Sequence, residues 1–143
     1  MAPSEDERTW GMYAHLSGML AFSAIPFGGI IGPLAIYLQN KSVRPFAREQ
    51  AREALNFHIT VGIVQFFSLV AFVAAWFGLI FSAALAPKTT PSLAPFGSAF
   101  IGIGCYLLAY VWAFVFTLIG TIRASSGAMY RYPLTIRFVR AAP

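Results

Sequence analysis

Two histidines, five carboxylates and one cysteine are the groups this 143-residue sequence offers for proton transfer, metal ligation or nucleophilic attack. His15 lies near the start of an apolar stretch. It suits a proton-relay or ligand site, or an interfacial imidazole bonded to backbone or water. Asn56, His58 and Thr60 form a second group, where a charged segment gives way to apolar sequence. They suit a polar cluster at a pore mouth, or helix-to-helix hydrogen bonds worth about 1 kcal/mol or less each. Glu49 and Glu53 are four residues apart, a spacing that could serve acid–base or metal chemistry. Arg48 and Arg52 compensate them, and no His or Cys stands at ligand spacing, so a salt-bridge network is the simpler reading. Arg131 and Arg137 of the tail are expected to meet Glu49 or Glu53 and close the cytoplasmic face. Cys105 sits alone in an apolar run and reads as a small hydrophobe. With no triad motif, phosphate loop or metal signature, neither an enzyme nor a cofactor is expected.

The elements that must position these groups are apolar. Hydrophobic residues make up 58% of the chain and charged residues only 10%. A soluble domain carries about 25% charged residues, so this chain has too few to cover a water-facing surface. Residues 12–38, 55–86 and 96–122 contain no formal charge, and each exceeds the roughly 20 residues that a membrane span needs. The expected fold is a single all-α integral membrane domain over residues 1–143. A polar N-terminus (1–11) precedes it and a basic tail (123–143) ends it.

The first segment is not a plain helix. Pro26, Gly28, Gly29, Gly32 and Pro33 fall within eight residues. Proline removes a helix hydrogen bond and glycine weakens a helix. Two half-helices are expected, near residues 12–25 and 33–39, joined by backbone that is buried in protein or water-lined. Residues 45–54 read as an amphipathic helix, with Phe46, Ala47, Gln50, Ala51 and Ala54 opposite Arg48, Glu49, Arg52 and Glu53. That helix is expected to lie at the interface and bend into the second segment. The turn-rich stretch 87–95 makes a helical hairpin of the second and third segments. The tail from 130 to 140 alternates apolar and polar residues, as a short strand or an interfacial strip would.

The net charge of +5 does not point to nucleic acid, because no basic-aromatic motif supports it. The basic residues gather at the ends and in one loop, so anionic lipid headgroups are their expected partners. Residues 40–53 hold Lys41, Arg44, Arg48 and Arg52; the tail holds Arg123, Arg131, Arg137 and Arg140; Lys88 stands alone between the last two segments. The positive-inside rule puts loop 40–54 and the C-terminus in the cytoplasm. The first segment is expected to span, which leaves the N-terminus outside; a re-entrant hairpin would leave it inside. The acidic start of the chain does not resemble a signal peptide.

Several blocks carry a family resemblance. They are Tyr13-Ala14-His15-Leu16-Ser17-Gly18, Pro26-Phe27-Gly28, Gly32-Pro33, Glu53-Ala54-Leu55-Asn56-Phe57 and the stretch from Tyr130 to Phe138. In order and over nearly the whole chain, these resemble the DUF4870, or Tic20-like, family of small bacterial membrane proteins. Where many members of that family carry Gln, this chain has His58. The resemblance implies a multi-pass protein of the bacterial inner membrane and a distant likeness to a chloroplast protein-import component. Two function classes follow. One is a non-catalytic accessory or scaffolding subunit, partnered by the bilayer and by other membrane subunits or itself, with protein transport as what the Tic20 likeness implies. The other is an oligomeric channel or small-solute transporter built on the broken stretch 26–33, since half-helix ends form ion sites.

Overall fold

A computed structural model describes residues 2–22, 27–40, 42–85 and 94–140. The expected break at Pro26 and the linker around Lys88 lie outside the described residues.

Helix α1 spans Glu5–Leu16. Ser4 caps it, Glu7 completes the capping box, and three acidic residues fill its first turn. Each of these suits a helix N-terminus, where N–H groups lack partners and the dipole favours negative charge. The stretch expected to be a polar N-terminus is therefore largely helical. A 3-10 helix, Ser17–Phe22, follows directly, so the first segment leaves α geometry well before Pro26. Helix α2 spans Gly28–Gln39 and starts five residues ahead of Pro33, where the second half-helix was expected. Phe27 explains the earlier start. It adopts a left-handed φ of 57°, and its carbonyl accepts from the N–H groups of Ile30 and Ile31. Pro33 then lies inside the helix, where it removes one hydrogen bond without ending it.

Helix α3 spans Pro45–Leu85, 41 residues without interruption. The separate interfacial helix expected over 45–54 is its first turns, with no bend assigned at the junction. Pro45 suits the opening position because its missing N–H would be unpaired there anyway. Helix α4 spans Ala94–Ser125. No strand occurs among the described residues, so the alternating tail is irregular backbone.

Two helices among the described residues, Pro45–Leu85 and Phe96–Ser125, are long and apolar enough to cross a membrane. Among the described residues the first segment holds no helix of that length. Its longest helices have 12 residues, about 18 Å at 1.5 Å per residue, against a hydrocarbon core of about 30 Å.

The chain divides into two compact units, Met1–Gly62 with Trp112–Pro143, and Ile63–Val111. In the second unit Phe66, Phe67, Phe77, Phe81, Phe100 and Leu108 are exposed. Apolar surface so continuous suits lipid rather than water. Gly102 lies against the backbone of Ser68 and Phe72, an approach that a side chain would block. The first unit holds a core of Ala54, Phe57, Val61, Ala113 and Tyr132. It also holds the polar groups.

Candidate functional site

In the first unit the fold gathers polar side chains that sequence order scatters. His15, Gln50, Glu53, Asn56, His58 and Thr117 are all buried there. Burying such groups is costly unless each finds a partner.

His15, one residue from the end of α1, contacts Gln50 Oε1 through Nε2 at 2.6 Å and the Tyr132 hydroxyl through Nδ1 at 2.7 Å. The neighbours fix the tautomer. Gln50 Nε2 donates to the Ala128 carbonyl at 3.4 Å, which leaves Oε1 as an acceptor. His15 Nε2 therefore carries the proton, and Nδ1 accepts from Tyr132. The Tyr132 ring stacks on Phe57 with centroids 3.9 Å apart, and its hydroxyl is hydrogen-bonded with Thr117. Burial raises the Tyr132 hydroxyl far above the ordinary tyrosine range, so it stays protonated. Gly120 makes room for this contact. A Cβ there would stand 2.8 Å from His15 Nδ1 and 3.0 Å from the Tyr132 oxygen.

His58 lies on α3 with Nε2 3.3 Å from the Thr117 hydroxyl. Gly18 and Gly29 press against its ring, and a side chain at Gly18 would overlap it. The sequence group of Asn56, His58 and Thr60 therefore divides. His58 turns toward α4 and the 3-10 helix, while Asn56 and Thr60 turn toward the tail.

The tail is tied along one stripe of α3. Asn56 Nδ2 donates to the Val139 carbonyl at 2.9 Å, and the Val139 N–H donates to Asn56 Oδ1 at 2.7 Å. One amide side chain thus pairs a residue's backbone on both sides, as a neighbouring strand would. The Ile136 N–H donates to Thr60 Oγ1 at 3.1 Å. Glu53 was expected on the exposed charged face of 45–54, yet it is only 2% exposed. Arg137 reaches both its oxygens at 3.4 Å, and Arg131 stands 4.0 Å away. A two-pronged guanidinium is what a buried carboxylate needs to offset its lost hydration. Glu49 instead pairs with Arg52 on its own helix.

The remaining sequence-predicted residues serve packing. Gly28 lies against Leu20, Gly29 against Ala21 and His58, and Gly32 against Ser17; Pro33 is buried. At the other end of α1, Asp6 pairs with Arg44, whose guanidinium lies over the Trp10 ring, and Glu7 accepts from the Phe46 N–H. Among the described residues no three His, Cys, Asp or Glu side chains converge as a metal site would require. Sequence reasoning missed Tyr132 and Thr117 as members of the buried network. Thr117 carried one faint signal, a lone hydroxyl amid apolar neighbours. Tyr132 carried none, because an aromatic ring in a basic tail reads equally well as a headgroup anchor.

Comparison with curated proteins and with solved structures returns no match. The sequence model of the MamF/MmsF family, described as a magnetosome magnetite crystal formation protein family, matches residues 6–139. This overturns the DUF4870, Tic20-like assignment, and the protein-transport role it implied falls with it. The blocks that suggested it supply His15, Asn56 and the tail, the parts that interlock, so they report packing rather than process. The matched stretch takes in all of the described helices but the first residue of α1, and the chain belongs to the MamF/MmsF magnetosome magnetite crystal formation protein family.

Proposed function

We propose that this chain is a non-catalytic accessory protein of the magnetosome membrane, which serves magnetite crystal formation by organising membrane and neighbouring subunits rather than by reacting with iron. One observation carries this reading: the buried His15 and Glu53, the groups best placed for chemistry, are engaged in holding elements together. Asp6, Glu7, Glu49 and Glu53 each bond a group on the chain itself. His15 joins α1, α3 and the tail. No Asp or Glu occurs after Glu53, so the remaining two-thirds of the chain offers no side-chain carboxylate to iron.

The same bonds support a topology. Asp6–Arg44, Glu7–Phe46 and His15–Gln50 tie α1 to the basic loop, and His15–Tyr132 ties it to the tail. The N-terminus therefore shares the cytoplasmic side with loop 40–54 and the C-terminus. Anionic headgroups on that side are the partners of the exposed arginines. Close packing of Gly28, Gly29 and Gly32 supports a structural use of the broken segment rather than an ion path.

The test is complementation of a magnetite-forming strain that lacks this protein, with crystal size and number measured by electron microscopy. A His15→Gln or Glu53→Gln variant that still accumulates in the membrane is expected to restore crystals in proportion to its amount. Loss of crystals with normal accumulation of both variants would instead mark a reactive site.

A further inference from the structure

The tail has a bend whose direction is informative. Ala128 and Met129 meet Gln50, Tyr132 stacks on Phe57, and Ile136 reaches Thr60. The backbone then returns, with Arg137 at Glu53 and Val139 at Asn56. It runs along α3 from residue 50 to residue 60 and doubles back. The turn of the U lies at Pro133–Ile136, beside Thr60. Glu53 is the last formal charge on α3, so the turn stands seven residues past it, about 10 Å along the helix.

At this bend the side chains point away from the protein. Leu134 is 83% exposed, Ile136 57% and Phe138 48%. Leu134 also holds a φ of +52°, a conformation that a branched side chain rarely adopts and that surrounding structure must enforce. The enforcement is visible in the Asn56 and Thr60 bonds, which grip the inner edge of the backbone and leave Leu134 and Ile136 outside. Arg131 and Arg140 flank the apolar residues and are exposed; the one carboxylate nearby, Glu53, is buried under Arg137, with the largely exposed Arg131 4.0 Å away. Apolar points flanked by two cations complement an anionic membrane surface.

We propose that the tail bend is a lipid anchor, in which Leu134, Ile136 and Phe138 enter the cytoplasmic leaflet of the bilayer that α3 crosses while Arg131 and Arg140 bind anionic phosphates. The proposal rests on the membrane placement in the preceding section but not on any role in crystal growth.

The experiment uses the full chain with Cys105→Ala, reconstituted at one copy per nanodisc. Single cysteines L134C, I136C, F138C and, as a control on the exposed end of α4, S126C carry an environment-sensitive fluorophore. In phosphatidylglycerol nanodiscs the first three labels are expected to emit to the blue. They should be quenched by lipids spin-labelled near the headgroup, and shielded from iodide, whereas the label at 126 should be open to iodide. Local preference for spin-labelled phosphatidylglycerol over phosphatidylcholine at L134C should fall about fivefold for each of R131Q and R140Q. Iodide access at 134, 136 and 138 equal to that at 126 overturns the proposal. Shielding that appears only with two copies per disc, or only in native membranes, also overturns it and assigns the bend to a second copy or to a protein partner. None of these readouts involves magnetite, so a failure here leaves the complementation result standing, and the reverse holds too.

Discussion

A single imidazole shows how the buried network constrains sequence. His58 fits because two residues from other segments, Gly18 and Gly29, lack side chains where its ring lies. Gly18→Ala is expected to force the ring or the 3-10 helix to shift, at a cost of about 1–3 kcal/mol. Thermal unfolding in detergent should show a lowered Tm, while Gly97→Ala, with no atom near its added methyl group and a better helix former inside α4, should leave it the same or slightly raised. Tyr132 makes a second residue-scale prediction. Burial holds its folded-state pKa above the ordinary tyrosine value of 10.0, so the folded protein favours the neutral phenol. Its contribution is complete below about pH 10 and declines as the pH rises further, when the unfolded chain loses the proton first. Tm measured from about pH 8 to about pH 11 should fall at the alkaline end. Tyr132→Phe, less stable at neutral pH through loss of the His15 bond, should lack that part of the slope.

Among the elements, α3 and the tail depend on one another. Asn56 supplies two bonds to Val139, and Asn56→Ala would leave both tail groups to find water. A loss of about 1–3 kcal/mol in tail docking is expected, read as faster amide hydrogen exchange over residues 136–140 with little change in α4. These elements were unevenly legible. The charge-free lengths of residues 55–86 and 96–122 identified the long helices, because lipid imposes a simple length rule. The density of Pro and Gly over 26–33 suggested a break, but α2 runs through Pro33, since an upstream carbonyl at Phe27 can start a helix that a proline does not stop. Charge alone offered Arg131 or Arg137 as partners of Glu49 or Glu53, and Glu53 with Arg137 is one of those pairs. The burial of Glu53 was not legible, because helix periodicity assigned it to the outer face and could not anticipate a tail lying over it. His15 and Tyr132 are 117 residues apart, and no local pattern predicts such a pairing.

For the molecule as a whole, the bonds from α1 to both the basic loop and the tail predict that all three share one side of the membrane. Reporter fusions at the N-terminus, within loop 40–54 and at the C-terminus should report the cytoplasm, and one at Lys88 should report the opposite side. An N-terminal reporter facing away from the other two would be incompatible with the His15 contacts. The way the tail completes the buried network also sets an order of events during synthesis. His15, Gln50, Glu53 and Asn56 leave the ribosome long before residues 128–139, so each of these groups enters or approaches the bilayer with its tail partner still untranslated. Until the last stretch emerges, the nascent chain displays polar groups without their tail partners, and incompletely folded chains are cleared by cellular proteases. Premature termination ahead of residue 128 should therefore yield rapid clearance rather than a shortened, stable protein, which makes the C-terminal residues the checkpoint for the whole chain.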